Sequence, residues 1–188
     1  TGIPLAIASE GTIGAHPMIP SSASDLETIV VLDSERDLVI HQWYRSSEIV
    51  TARKIVQPGQ NLEEFLARAD FPNHGLIVRS QHQPSRPAIK GIRDLESLQQ
   101  AIGEIAESSG SVIVESDLRA NYSPSRMKNI AECARLLVRR IASPCPECQA
   151  PGWGSIEPIF GLPCGDCGEL VESAVMACLL YTSDAADE

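Results

Sequence analysis

The chain has 188 residues, 43% hydrophobic and 21% charged, which supports a packed core and argues against wholesale disorder. Its formal charge of −10 at pH 7 repels phosphate backbones and disfavours nucleic-acid binding by charge alone. No apolar run is long enough to span a bilayer, and the C-x-x-C pairing of its cysteines fits a reducing compartment, so the expected setting is the cytoplasm.

Residues 3–9, IPLAIAS, read as a buried strand entering a Gly-rich turn, EGTIGAHP. Residues 27–33, ETIVVLD, and 37–45, DLVIHQWYR, flank the turn-like SERD and predict a hairpin. Residues 48–56 predict a third strand, ended by Pro58-Gly59. Asn61 caps a helix to about Arg68, with Glu64 completing a capping box. Residues 75–79, GLIVR, are a short strand, and SQHQPSRPAIK is a Pro-broken loop. Asp94 caps the next helix, whose apolar face carries Leu95, Leu98, Ile102, Ile105 and Ala106. Residues 111–116, SVIVES, form a further strand. Ser123 caps a long helix from Pro124 to about Ile141, with Met127, Ile130, Ala131, Ala134, Leu137 and Val138 on its apolar face and Cys133 as a buried small hydrophobe.

Strands alternating with helices predict an α/β domain over residues 1–142, with a mixed sheet and flanking helices. A small C-terminal zinc ribbon follows at 143–172. The start at Thr1-Gly2-Ile3, without methionine, predicts an N-terminally truncated domain. Residues 178–188, CLLYTSDAADE, read as an adapter-derived tail, which removes Cys178 from consideration as a ligand.

The most specific motif is PCPECQAPGWG…GLPCGDCGE, in which Cys145 and Cys148 are followed by Cys164 and Cys167. A two-residue gap lets one tight turn aim two sulfurs at one ion, and an intervening hairpin can bring the second turn opposite. Four thiolates close a tetrahedron and leave no open position for a catalytic water, so the expected metal is structural zinc. Trp153 is expected to pack this ribbon.

Three polar motifs sit at predicted element ends. In SEGTIGAHP, two glycines permit close backbone approach to a ligand, and Glu10 and His16 can act as acid, base or ligand to a divalent metal. In ESDLRANYSPSRM, period-two alternation puts Glu115, Asp117 and Arg119 on one side, with Asn121 following. Ser125 and Arg126 then occupy a helical first turn, where free N–H groups favour anions. In NHGLIVR and KGI, His74 precedes a buried strand, Arg79 follows it, and Lys90 closes the Pro-broken loop.

The order of ASEGTIGAHP at 8–17, NHGLIVR at 73–79, KGI at 90–92, ESDLRANYSPSRM at 115–127 and the cysteine motif at 144–169 resembles an uncharacterised bacterial family, the domain of unknown function 6671. The resemblance covers about Ile7 to Leu170, departs at Ile13 and Ala15, and implies no particular reaction.

The resulting expectation is a site for an anionic small molecule. Its catalytic candidates are Glu10, His16 and Asp117, and its binding candidates are His74, Arg79, Lys90, Glu115, Arg119, Asn121 and Arg126. The competing expectation is an interaction protein that docks through the ribbon around Trp153. Convergence of His16, Asp117 and Arg126 on one cleft would favour the first.

Overall fold

The computed structural model describes residues 2–163 and 167–179. The chain divides into two compact units, each discontinuous in sequence. Unit 1 comprises Thr1–Thr12, Leu26–Arg45 and Ile130–Glu188, and unit 2 comprises Ile13–Asp25 and Ser46–Asn129. Among the described residues, no helix is long and apolar enough to cross a membrane.

Unit 2 contains the succession β4 (Arg53–Val56), α1 (Glu63–Arg68), β5 (Leu76–Ser80), β6 (Ile89–Ile92), α2 (Leu95–Ser109) and β7 (Val112–Ser116). The strands form a sheet in the order β4-β7-β5-β6, and every pair in it is antiparallel. This corrects the expected mixed sheet. The two strands joined through each helix are never neighbours, because β7 separates β4 from β5 and β5 separates β6 from β7.

Leu76 and Val78 of β5 share a face with Val112 and Val114 of β7, and α2 covers it with Leu98, Ala101, Ile102 and Ile105. Phe65 and Ala69 complete this core. Burying each large side chain of this kind contributes about 1.5–3 kcal/mol. Asp94 caps α2 by accepting from the Ser97 N–H at 2.8 Å, as the sequence predicts. Leu95, expected on the buried face, is exposed at the first turn.

The remaining strands are β1 (Leu5–Ala15), β2 (Ala23–Asp33) and β3 (Leu38–Ser46), hydrogen-bonded in that order. The expected Gly-rich loop at 10–17 is largely strand. Pairing with β2 carries β1 through Gly11 and Gly14 to Ala15, since a ladder partner outweighs the modest cost of glycine in a strand.

Helix α3 runs from Pro124 to Ile141, the predicted bounds. In unit 1 its Cys133 and Leu137 pack on Ile29, Val31 and Ile40. Cys133 is fully buried, and burial pushes its thiol up. Met127 and Val138, assigned to the apolar face from spacing, are exposed, while Asn129 and Arg140 are buried. The buried stripe of α3 is therefore polar toward both ends. Asn129 Nδ2 donates to Asp25 Oδ2 at 2.9 Å, and Arg140 donates to the Gly152 and His41 carbonyls at 3.1 and 2.9 Å.

The final elements are β8 (Ser155–Pro163) and β9 (Leu170–Leu179), an antiparallel hairpin whose last pair is Pro163↔Leu170. The residues between the two cysteine pairs were expected to fold into a hairpin of their own. They supply a single strand, and its partner lies beyond the second pair. β9 also takes in Cys178 and Leu179, the first residues of the segment read as a tail.

Candidate functional site

Two of the three polar motifs, ESDLRANYSPSRM and NHGLIVR with KGI, meet in unit 2 around Tyr122, which lies in a single 3-10 turn, Ala120–Tyr122, between β7 and α3. A Cβ added at Gly75 would lie 3.0 Å from Tyr122 Cβ. One added at Gly91 would lie 2.7 Å from Tyr122 Cζ, and Gly91 also has φ +76°. Gly91 in KGI is therefore favoured by both its backbone and the tyrosine of ANY, and a side chain at Gly75 in NHG would crowd the same tyrosine. The Gly75 N–H donates to the Tyr122 carbonyl at 2.8 Å, and the Asp117 N–H to the Gly75 carbonyl at 2.8 Å.

Asp117 is 1% exposed. Its carboxylate accepts from the Gly91 N–H at 2.9 Å and from Arg119 Nε and Nη2 at 2.9 and 2.6 Å. Burial alone would push this carboxyl up. The Arg119 side chain and N–H and the Gly91 N–H outweigh it and hold the group below the usual carboxylate range. The Arg119 guanidinium lies 4.5 Å from the Tyr122 ring centroid and that of Arg93 lies 5.0 Å from it. Arg93 also donates to the Asn121 carbonyl at 2.6 Å.

Lys90 and Asn121 are exposed beside this cluster, and Arg126 donates to the Leu118 carbonyl at 2.8 Å. Glu115 departs from the expected alignment with Asp117. β7 ends at Ser116, so the alternation stops there, and Glu115 remains on the sheet face opposite the core with Arg79 at 2.7 Å and Arg53 at 3.5 Å. Arg79 and Glu115 thus satisfy each other across β5 and β7.

His74 belongs to a different arrangement. It is 4% exposed, and its Nδ1 lies 2.8 Å from Asp70 Oδ2. Its Nε2 lies 2.9 Å from Ser125 Oγ and accepts from the Ser125 N–H at 3.2 Å. The Val50 N–H donates to the same Oγ at 3.1 Å. Asp70 follows the C-cap of α1 in the left-handed region, at φ 49°. Its carboxylate also accepts from Asn73 Nδ2 at 3.1 Å, and the Asn73 and His74 hydrogen bonds hold it below the ordinary range.

Glu10 and His16 do not enter these networks. Glu10 is exposed on β1, and His16 Nδ1 accepts from the Met18 N–H at 3.1 Å within its own turn. The residues that sequence reasoning missed are Asp70, Arg93 and Tyr122. Ser125 was read only as a first-turn anion contact. A histidine four residues after an aspartate at a helix end was the available signal for Asp70.

Of the cysteine set, Cys164 lies outside the described residues. Cys145 is buried, while Cys148 and Cys167 are exposed. The Cys145 N–H donates to the Ala150 carbonyl at 2.8 Å and the Gln149 N–H to the Cys145 carbonyl at 3.0 Å, which closes a tight turn. Each pair is followed by a left-handed residue, Gln149 at φ 64° and Gly168 at φ 73°. Trp153 is half-buried, its backbone N–H held by the Ser143 carbonyl at 3.0 Å. Among the described residues, no group of three or more His, Cys, Asp or Glu side chains lies together as a metal site.

A cavity of about 580 Å³ opens between α1 and α2, lined by the loop 57–61 together with apolar side chains that include Val56, Leu62, Leu66, Leu98 and Ile102. None of the candidate site residues lines it.

In comparison with family models, the one described as Domain of unknown function (DUF6671) matches residues 1–184. No curated protein and no solved structure matches the chain.

Proposed function

The chain belongs to the DUF6671 family, and on that footing we propose that unit 2 binds a small anion, a phosphate or a carboxylate, where β7 leads into α3. The observation that carries this reading is the pair of guanidiniums over Tyr122, at 5.0 and 4.5 Å from its ring. One carboxylate, Asp117, serves Arg119, whereas among the described residues Arg93 meets a carbonyl and the ring and no carboxylate, with exposed Lys90 nearby. The local charge is therefore positive in an acidic chain, and an incoming anion would complete it. Asp117 is the positioning group in this reading. It fixes Arg119 and, through the Gly91 N–H, the strand that carries Lys90.

The test is calorimetric titration with inorganic phosphate, phosphosugars and dicarboxylates. Lys90→Ala, at an unchanged melting temperature, and Arg93→Ala, with some loss of stability from its bond to the Asn121 carbonyl, should each weaken binding about 10-fold or more, since one charge-assisted hydrogen bond contributes about 1.5–3 kcal/mol. A metal-loaded protein that binds no member of the set at millimolar concentration would sink the reading.

We also propose that Cys145, Cys148, Cys164 and Cys167 hold a structural zinc ion, in a reducing, cytoplasmic setting. The support is the donor set and the matched left-handed residues after each pair, which let a C-x-x-C turn direct its N–H groups at the thiolates. Zinc would supply closure of the ribbon and no open coordination position. In small metal modules the ion provides folding free energy, so the two turns come together on loading.

A further inference from the structure

We propose that Ser125, His74 and Asp70 form an acyl-transfer centre, with Ser125 as nucleophile, His74 as general base and Asp70 as the residue that positions it. The proposal does not depend on the anion site. Three elements bring the group together. Asp70 follows the end of α1, His74 precedes β5, and Ser125 is in the first turn of α3. The two links are 2.8 Å (Asp70 Oδ2 to His74 Nδ1) and 2.9 Å (His74 Nε2 to Ser125 Oγ), the nucleophile–base–orienter geometry of serine hydrolysis.

A proton on Nδ1 that faces the Asp70 carboxylate leaves the Nε2 lone pair facing Ser125. Asp70 takes the left-handed backbone at φ 49°, which aspartate tolerates better than most residues because its short side chain can hydrogen-bond locally.

The substrate class is a carboxylic ester or thioester. Ser125 Oγ forms a bond to the acyl carbon while its proton passes to His74 Nε2, giving a tetrahedral oxyanion and an imidazolium paired with Asp70. The Val50 N–H, already 3.1 Å from Oγ, stabilises the oxygen as it loses its proton. The intermediate collapses by breaking the bond to the leaving oxygen or sulfur, which takes the proton from Nε2. Water then attacks the acyl-enzyme, His74 accepts its proton and returns it to Ser125 Oγ, and the free carboxylic acid departs.

A purely structural role is separable. The Ser125 backbone N–H also bonds Nε2, at 3.2 Å, so Ser125→Ala keeps that bond at the helix end and loses the hydroxyl with its links to His74 and the Val50 N–H. The experiment exposes the full chain to a fluorophosphonate probe and to p-nitrophenyl acetate, with mass spectrometry of the peptide that contains Ser125. The expected result is covalent labelling of Ser125 and ester turnover. Ser125→Ala should abolish both. His74→Ala should lower turnover by two orders of magnitude or more, since general-base catalysis contributes about 10²–10⁴. Asp70→Asn tolerates the left-handed backbone but donates to Nδ1, which reverses the tautomer. It should therefore alter the pH–rate profile of protein that circular dichroism shows to be folded, with some loss of stability from the Asp70 carboxylate's bonds. Failure of the probe to label Ser125 in folded wild-type protein overturns the proposal, and so does turnover that survives in Ser125→Ala.

Discussion

Asp117 shows how a single side chain can hold several motifs in register. Its oxygens gather a backbone N–H from β6 and the side chain and N–H of Arg119, while its own N–H reaches Gly75. Replacing it with asparagine leaves half-exposed Arg119 without its counter-charge and should cost about 1–2 kcal/mol at pH 7, the low end for a hydrogen bond to a charged group. The dependence on pH follows from the depressed carboxyl. A group whose folded pKa lies below its unfolded value contributes fully above the ordinary aspartate value, about 3.9, and loses that contribution as pH falls through the lower folded value. Urea titrations of wild type and Asp117→Asn should therefore differ most at neutral pH and converge on acidification below about pH 4. A constant gap down to pH 2 would show that the charge is not what stabilises the site.

At the level of elements, the helices were the most legible part of the chain. Asp94 and Pro124 marked two starts that the structure keeps, because capping is local chemistry and needs no distant partner. Asp94→Ala should accordingly cost about 1 kcal/mol of stability in unit 2, measurable by chemical denaturation, with no loss of anion binding. The strands were less legible. β6 is four residues long, sits between a Pro-broken loop and Arg93, and exists through its irregular pairing with β5. β1 runs through two glycines because β2 pairs with it, which no local pattern encodes. The buried face of α3 was mistaken at Met127 and Val138 because apolar periodicity gave no weight to Asn129 and Arg140, whose burial depends on carbonyls and a carboxylate distant in sequence.

For the molecule as a whole, the motifs at 73–79, 90–92 and 115–127 lie together, while Glu10 and His16, expected with them, stay outside their networks, and the partners within the group were not foreseen. Arg79 was expected at a ligand and instead satisfies Glu115, while the Asp70–His74–Ser125 chain spans residues 55 positions apart, a separation that spacing arguments do not reach. The cysteine pairs make the remaining whole-chain prediction. Purified protein should carry one zinc ion per chain by elemental analysis. A chelator should expose Cys145, Cys148, Cys164 and Cys167 to alkylation together, and buried Cys133 should stay unreactive. Alkylation at only one pair would refute a four-thiolate site. The close fit of Gly91 against Tyr122, 2.7 Å from a would-be Cβ to Cζ, has a spectroscopic consequence. An aromatic ring at that range shifts the magnetic resonance of the Gly91 α-protons away from ordinary glycine positions. The same ring carries both arginines, so an anion that repositions either guanidinium would move the glycine signal, and the site contains its own reporter without any added label.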